Sequence, residues 1–295
     1  MAARPASSRR RKWLALLARA SRLLISPAEP TSQLIRQSYD RIAPGYDQAW
    51  TGHMRHLSLA MLDKLHLPAG ARCVDLACGT GFLTGQLAER TGGDVTGVDA
   101  SAGMLAAARE SCGSACRFVQ ADVLTWLKSQ PARSVDVVTC GWALGYTQPA
   151  AVVRQIARVL RPGGQVGIID NSLFSLAGVL WASVQAFAEQ PAALSHAMSV
   201  RFLPHSCVLT AIMRANGLGV RDAWDGGKTY TAASGQAAVD RLTATGAAAG
   251  FEFATDPAHR DRIFERFAEI MEQRSAGEAI RITHRYLGAV GVRTW

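Results

Sequence analysis

Short apolar runs alternate with helix-like patterns between residues 72 and 169. Runs of four to six residues predict five strands, at 72–76, 94–98, 117–120, 135–140 and 165–169. The stretches between them carry apolar residues at helical spacing, as at Val152, Ile156 and Val159. Proline and glycine at 162–164 are expected to end that last helix before the fifth strand begins. Repeated strand–helix–strand units predict an α/β fold with a doubly wound, mainly parallel sheet.

The segment from residue 171 to 216 is too apolar for an ordinary surface loop. Its first half carries large apolar side chains at Leu173, Phe174, Leu176, Val179, Leu180, Trp181, Val184 and Phe187. We interpret it as a helical cap lying over the carboxyl ends of the strands. Residues 218–230 and 279–292 predict two further strands, which bring the sheet to seven, and helices are expected at 236–249 and 261–273.

The predicted organisation therefore has four parts. A basic N-terminal extension covers residues 1–30, and entry helices with the core of the sheet cover 31–170. The cap is an insertion at 171–216, and residues 217–295 hold the C-terminal strands that complete the sheet, with inserted helices.

Composition limits the classes of protein to consider. The chain has 295 residues, 48% of them hydrophobic, which excludes a wholly disordered chain. No window of about 20 residues is free of charged side chains, so no membrane-spanning helix is predicted. Six cysteines without CxxC spacing indicate reduced thiols rather than a disulfide scaffold or a zinc frame, and favour a cytoplasmic location.

Positive charge is concentrated at the start of the chain. The formal net charge is +9, no acidic residue precedes Glu29, and residues 9–12 are a basic cluster. A helix here would place one broad apolar face opposite Lys12, Arg19 and Arg22; that face comprises Trp13, Leu16, Leu17, Ala20, Leu23 and Leu24. Such a helix is typical of peripheral contact with an anionic membrane, through residues 9–25. The alternatives are a solvated, partly disordered extension and a targeting peptide. No nucleic-acid partner is expected, because no motif that reads RNA or DNA follows.

Candidate chemistry is concentrated at the ends of three consecutive predicted strands. Residues 74–81 read Val-Asp-Leu-Ala-Cys-Gly-Thr-Gly, a turn whose glycines let backbone approach a ligand and whose amides begin the next helix. Asp99 ends the second strand, where a carboxylate can accept hydrogen bonds from a ribose diol. Asp122 follows the third strand, within reach of an adenine amino group. These features predict a nucleoside site; the alternative is that Asp75, Asp99 and Asp122 are helix N-caps.

The turn resembles the first motif of class I S-adenosylmethionine-dependent methyltransferases. The resemblance continues through residues 97–101, 120–122 and 158–164, and residues 39–47 are similar to the entry helix of the small-molecule and quinone branch. It implies a Rossmann-like methyltransferase fold with S-adenosyl-L-methionine as cofactor. By this resemblance Asp75 and the backbone of Ala77, Gly79 and Gly81 hold the methionine portion, and Asp99 holds the ribose. The resemblance further implies roles near the ribose, the adenine or the methyl group for Tyr39, Tyr46, Ala100, Met104, Asp122, Val123, Gly141 and Trp142.

The acceptor is expected to be a lipophilic small molecule with an aromatic or polyketide-like hydroxyl, or else an activated ring carbon. Alignment of that nucleophile with the methyl group is mostly a matter of proximity. A general base would assist a phenol, and the candidates are His53, His56, Tyr146, His196 and His205. Asp170-Asn171 resembles the metal pair of catechol-type O-methyltransferases, but residues 140–142 lack the further carboxylate, so no metal is expected.

Two other functions stay open at this point. A nicotinamide-dependent oxidoreductase would need a third glycine where Thr84 stands. A non-catalytic S-adenosylmethionine-binding protein, recruited to membranes through residues 1–30, would keep the same motifs.

Overall fold

The computed structural model describes residues 6–27, 29–246 and 251–294. The strands are β1 Cys73–Leu76, β2 Val95–Asp99, β3 Arg117–Gln120, β4 Val135–Gly141, β5 Leu160–Asn171, β6 Leu218–Ala232 and β7 Ile280–Arg293. The first six helices are α1 Ala6–Ile25, α2 Thr31–Ile42, α3 Gly52–Leu62, α4 Phe82–Thr91, α5 Ala102–Cys112 and α6 Val123–Ser129. The others are α7 Pro149–Val159, α8 Ala177–Glu189, α9 Ser206–Ala215, α10 Gly235–Ala244, α11 Phe251–Ala254 and α12 Arg260–Ser275.

The seven strands form one sheet in the order β3-β2-β1-β4-β5-β7-β6. β1 pairs in parallel with β2 and β4, while β2 pairs in parallel with β3, and β4 with β5. β7 lies antiparallel to β5. The predicted α/β class and the mainly parallel, seven-stranded sheet are confirmed, and the carboxyl ends of β1, β2 and β4 meet at one edge.

β5 starts earlier than the sequence pattern predicted. α7 ends at Val159, and the strand begins directly at Leu160, which pairs with Val135. The next strand partners are Val137 and Gln165, so the proline and glycines at 162–164 form an irregularity within the strand. Gly163 has a φ of +80°, which explains how the chain turns there without leaving the sheet.

Two compact units divide the chain differently from the predicted boundaries. The helical unit consists of the described residues of Met1–Ser38, Leu176–Ser199 and Thr229–Thr283, and the sheet unit of those of Tyr39–Ser175, Val200–Lys228 and His284–Trp295. The segment interpreted as a single cap is therefore split between them. In α8, Ala182, Ala186 and Phe187 are buried with side chains of α10 and α12, whereas Leu209 and Met213 of α9 are buried with those of the sheet. Each helix thus belongs to the unit in which its apolar face is buried.

The basic N-terminal segment is a helix packed within the helical unit. Trp13 stacks on Trp181 of α8 with ring centroids 5.6 Å apart, and Leu16 is only 6% exposed. Leu17 and Leu24, predicted for the same face, are 60% and 55% exposed. The apolar face is therefore divided: Trp13, Leu16, Ala20 and Leu23 pack within the unit, whereas Leu17 and Leu24 face solvent. Residues 1–5 of the predicted extension, and 247–249 of the predicted helix 236–249, lie outside the described residues.

Within the described ranges, none of the helices combines the length and the apolar character needed to span a bilayer. In the same ranges, no group of three or more His, Cys, Asp or Glu side chains is arranged to hold a metal ion.

Candidate functional site

The turn after β1 runs through left-handed backbone. Ala77, Gly79 and Gly81 have φ values of 52°, 54° and 85°. A Cβ on Gly79 would meet no atom within 4 Å, whereas a Cβ on Gly81 would lie 3.1 Å from both Ala108 and Cys112 Sγ. Gly79 therefore faces open space that a ligand can enter, and Gly81 allows α4 to pack closely on α5.

Asp99, the last residue of β2, is bonded to this turn. Its Oδ2 accepts the Gly79 N–H at 2.9 Å, and its Oδ1 accepts the Ser101 N–H at 2.9 Å. Burial raises the pKa of Asp99, while the amide hydrogen bonds oppose that rise. A carboxylate oxygen has more than one lone pair, so both oxygens can still accept hydroxyl donors from a ligand.

Asp75 lies inside the sheet and is 1% exposed. Its two oxygens accept the hydroxyls of Thr84 at 2.7 Å and Thr139 at 2.8 Å, which links β1 to α4 and β4. Burial raises the pKa of Asp75 to about 6. Asp75 thus holds the strand ends in place, and it also lines the cleft described below.

The entry segment, residues 39–47, contains two Tyr-Asp pairs, and their aspartates Asp40 and Asp47 anchor it to neighbouring loops. Asp40 Oδ1 accepts the Ser101 hydroxyl at 2.6 Å and the Gly103 N–H at 2.9 Å. Asp47 Oδ1 accepts the Thr80 hydroxyl at 2.5 Å. The segment is therefore fixed to the loops after β2 and β1 respectively. The sequence motif contained both aspartates but gave no sign of this role.

Three tyrosines from two segments form a cluster near these loops. The ring of Tyr39 lies 5.9 Å from that of Tyr46 and 6.2 Å from that of Tyr146, and Tyr146 contacts Phe202 at 5.1 Å. Burial raises the pKa of Tyr39 and Tyr46 well above the usual value, and raises that of Tyr146 to about 12. At neutral pH all three phenols remain protonated, so Tyr146 is a hydrogen-bond donor rather than a ready base.

A cleft opens beside the turn, and residues of the turn form part of its wall. Trp142 follows β4 with a φ of 63°, and its Nε1 donates to Ser58 Oγ at 2.9 Å. The ring of Trp50 lies 5.7 Å from that of Trp142. The cleft is lined by parts of the turn and strand ends together with Tyr46, Trp50, Met54, Arg55, Ser58, Phe82, Leu83, Gly141 and Trp142. Sequence reasoning missed the wall from Trp50 to Ser58, because no motif marks it.

The residues predicted for the adenine side differ in burial. Met104 and Val123 are buried, whereas Ala100 and Asp122 are exposed. Asp122 Oδ1 accepts the Thr125 N–H at 2.8 Å and caps α6, so the N-cap alternative describes its hydrogen bond. Asp99 does not cap α5, because Ser101 does. The adenine contacts of these four residues stay predictions.

The five candidate bases are divided between the two units. His53 is half-buried on α3, with its ring 6.3 Å from that of His284, which lies 5.4 Å from Trp50. His56 is exposed, and its pKa is lowered by partial burial and by the charge of Lys228. His53, His56 and Tyr146 all belong to the sheet unit. His284 was missed, since a single histidine in a strand pattern gives no functional signal.

The two remaining histidines interact with other groups. His196 belongs to the helical unit, where its Nδ1 lies 2.8 Å from the Phe253 carbonyl oxygen. His205 is exposed at the start of α9, with its Nδ1 3.9 Å from Asp225 Oδ1. None of the five candidate bases is among the residues that line the cleft.

Asp170 is a buried acid near the end of β5. Its oxygens accept the N–H groups of Gly145 at 2.6 Å and Asn171 at 2.8 Å. Burial raises its pKa to about 7. The carboxyl thus holds the loop after β4 in place.

The chain is similar in sequence to known methyltransferases over the part that contains the glycine turn. Residues 73–164 match the family model of a methyltransferase domain. A 2-phytyl-1,4-naphtoquinone methyltransferase of Thermosynechococcus vestitus is 35% identical over 147 residues, 47% of this chain and 64% of that protein. A demethylmenaquinone methyltransferase of Lactobacillus johnsonii is 33% identical over 150 residues, 47% of this chain and 61% of that protein. The chain thus covers less than two thirds of either relative.

A solved structure extends the similarity of fold beyond that region. The structure of a [4+2]-cyclase superposes with a TM-score of 0.58 at 19% identity, covering 90% of this chain and 97% of that one. At this identity the likeness concerns the fold alone.

Proposed function

We propose that the protein transfers a methyl group from S-adenosylmethionine to a lipophilic small molecule, because residues 73–164 match the model of a methyltransferase domain and the similar proteins named above are methyltransferases. The observation that carries this proposal is the bond between Asp99 Oδ2 and the Gly79 N–H, beside the open space that Gly79 leaves. This arrangement suits an adenosyl group, with a ribose on Asp99 and the rest of the cofactor along the turn.

The cofactor, when bound, supplies a methyl group on a positively charged sulfur, which is already activated for transfer. Around that position Tyr46, Trp50 and Trp142 present aromatic rings, which attract a cation and exclude water. Arg55 also lines the cleft, and its guanidinium carbon lies over the Phe82 ring, 4.6 Å from the ring centroid. The chain's main contribution is therefore orientation of the two reactants in a dry site.

We assign the general base to His53. It is the only histidine among the five candidates that is half-buried within the sheet unit, and it precedes Met54, which lines the cleft. The Lys228 ammonium donates to its backbone oxygen and fixes the start of α3. In this role His53 takes the proton of a phenolic or quinol hydroxyl as the oxygen attacks the methyl carbon.

The acceptor class rests on the aromatic wall of the cleft and on the names of the relatives, which are a naphthoquinone and a menaquinone methyltransferase. We favour an aromatic or polyketide-like hydroxyl, with a ring carbon as the second choice. The oxidoreductase alternative gains no support, because Thr84 stands at the third glycine position and donates to Asp75.

Two measurements on the full chain test this proposal: calorimetry of cofactor binding, and an assay of methyl transfer to small molecules. We expect saturable binding of S-adenosylhomocysteine but not of NADH, and transfer of labelled methyl groups to naphthoquinols or simple phenols. Binding without transfer to any small molecule, together with recruitment to membranes, would favour the non-catalytic alternative. Binding of NADH alone would overturn the proposal.

We also propose peripheral contact of residues 9–25 with an anionic membrane. The solvent side of α1 alternates exposed arginines, among them Arg10, Arg11 and Arg22, with exposed apolar side chains at Leu14, Leu17, Leu24 and Ile25. Trp181 and Val184 of α8, in the same unit, are exposed as well. Basic and apolar groups together match an anionic lipid surface.

Vesicle co-sedimentation tests this contact. The full chain should bind phosphatidylglycerol vesicles and bind phosphatidylcholine vesicles far more weakly. A Leu17→Glu, Leu24→Glu double variant should lose about tenfold in binding, while a Leu173→Glu, Phe174→Glu double variant, which changes two exposed residues of the sheet unit, should not. Equal losses in both would exclude α1 as the contact.

A further inference from the structure

The described wall of the cleft contains a buried hydrogen-bond donor that has no partner. Trp50 lines the cleft and is only 4% exposed, and its indole Nε1 makes no hydrogen bond to any described residue. An indole N–H can only donate, so no change of protonation lets it pair in another way. A buried donor without an acceptor is unfavourable, which makes this N–H the expected contact for a ligand that enters the cleft.

Other polar groups of the wall already have partners inside the protein. Trp142 Nε1 donates to Ser58 Oγ at 2.9 Å, and the oxygens of Asp75 accept from two threonine hydroxyls. Among the polar side-chain atoms of the described wall, Trp50 Nε1 alone is both buried and unpaired. The unused capacity to bind a polar ligand atom is therefore concentrated at this N–H.

Two aromatic neighbours hold the indole ring in place. The Trp142 ring lies edge-on to it, with centroids 5.7 Å apart and an interplanar angle of 89°. The His284 ring lies 5.4 Å away at 71°. All three residues belong to the sheet unit, which also contains the glycine turn. Edge-to-face packing fixes the orientation of a ring, so the donor is positioned before a ligand binds and little further ordering is needed.

The chemistry of methyl transfer limits which ligand atom this donor can serve. In the proposed reaction the nucleophilic oxygen gives its proton to His53 and uses a lone pair to attack the methyl carbon. A hydrogen bond donated to that oxygen would stabilise the same lone-pair electrons and slow the attack. The donor therefore suits a second oxygen of the acceptor, one that is not methylated.

We propose that Trp50 Nε1 donates a hydrogen bond to this second oxygen on the ring of the methyl acceptor. The acceptor class then narrows to aromatic rings with two oxygens, such as quinols and hydroxyquinones. The identity of the ligand rests on the proposed methyl transfer. Trp50 is a specificity-determining residue that contacts the acceptor and takes no part in the proton transfer.

A ketone and its parent hydrocarbon test the donor without turnover. 1-Tetralone and tetralin share one ring system and differ in a single carbonyl oxygen. In calorimetry with S-adenosylhomocysteine present, Trp50→Phe should lower the affinity of the full chain for 1-tetralone about fivefold more than that for tetralin, because the lost ring volume affects both probes alike. Trp224→Phe is the control, since Trp224 is half-buried in the sheet unit and is not among the residues that line the cleft. It should change neither affinity.

Two outcomes would overturn the proposal. Equal losses for 1-tetralone and tetralin in Trp50→Phe would mean that the indole only shapes the wall. A larger loss of S-adenosylhomocysteine affinity than of 1-tetralone affinity would assign the N–H to the cofactor. If Trp50→Phe does not fold, a chain with β-(3-benzothienyl)alanine in place of Trp50 decides, because this analogue keeps both rings and replaces the N–H by sulfur.

Turnover distinguishes this proposal from the proposed function. In Trp50→Phe the KM for 1,4-dihydroxynaphthalene should rise about fivefold relative to the KM for 1-naphthol, which lacks the second oxygen. An unchanged ratio of the two KM values would overturn the role of Trp50 while methyl transfer stands. No transfer by the wild type to either compound, together with the expected 1-tetralone effect, would reject methyl transfer and keep Trp50 as the donor to a ligand oxygen.

Discussion

The two units hold cavities of similar size and opposite chemistry. In the sheet unit the cleft is lined by strand ends and a glycine turn, which supply backbone amides and the carboxyl of Asp75, already fixed by hydrogen bonds. In the helical unit the cavity is surrounded by helix faces, whose backbone groups are satisfied internally, and its described lining is mostly apolar, as at Leu180, Phe187 and Leu242. Strand ends therefore suit a polar nucleoside, and helix faces suit a hydrocarbon.

The largest effect expected concerns Asp99. Asp99→Ala removes two charge-assisted acceptors for the ribose and releases the Gly79 N–H. We expect calorimetry to show about a thousandfold loss of S-adenosylhomocysteine affinity, about 4 kcal/mol.

Asp122→Ala is the matched control for this prediction. Asp122 is exposed and caps α6, so its loss should reduce affinity less than about fivefold while it lowers the stability of the helix. Equal losses for the two variants would remove the distinction between a ligand acid and a capping acid.

Most of the sheet unit could be predicted from sequence, since its signals are local. The five strand patterns follow one another along the chain within about 100 residues, and the turn at 77–81 and Asp99 lie among them. The wall formed by Trp50 and Ser58 was missed because its contact with Trp142 joins residues 84 positions apart. The cavity of the helical unit was missed for the same reason: Phe187, Leu242 and Phe267 come from three helices with no shared motif.

The N-terminal helix shows a different limit. The helical wheel grouped Leu16 and Leu17 on one face, and no property of the sequence indicated which of them α8 would cover. Which side of an amphipathic helix becomes buried depends on the helix that packs against it. For α1 that helix is α8, which lies more than 150 residues further along the chain.

The second prediction uses this pair of leucines. Leu16 is buried in the helical unit, so Leu16→Ala should lower its free energy of unfolding by about 3 kcal/mol. Leu17→Ala changes an exposed residue and should stay within about 0.5 kcal/mol. Thermal denaturation followed by circular dichroism measures both. Similar values for the two would contradict the division of α1 into a packed and an exposed side.

The third prediction concerns the pH dependence of the sheet unit. The folded pKa of Asp170 is about 7, above the value of 3.8 for a free carboxyl, because burial favours the neutral form. Its contribution to stability is thus complete below pH 4 and is lost as the pH rises through 7. Between pH 5 and 8 the wild type should lose about 2 kcal/mol through this group.

Asp170→Asn should remove that part of the loss, because an amide still accepts from the Gly145 N–H and does not titrate. Urea denaturation at both pH values measures the difference. Asp222→Asn, at an exposed carboxyl paired with Lys64, is the control and should keep the wild-type difference. If Asp170→Asn keeps it too, the carboxyl is not the titrating group.

The smallest effect expected is that of Tyr146→Phe. Burial raises the pKa of Tyr146 to about 12, so its phenol is already protonated throughout the pH range of an assay, and its removal takes away a donor rather than a base. We expect kcat to fall less than threefold, with the pH profile of kcat/KM unchanged. His53→Asn should instead lower kcat/KM for a phenol about a hundredfold, because the side chain that takes the phenol proton is gone. If Tyr146→Phe had the larger effect and moved the pH profile, the base would lie in the tyrosine cluster. The strand ends of the sheet unit would then supply both the loops that hold the cofactor and the group that accepts the proton.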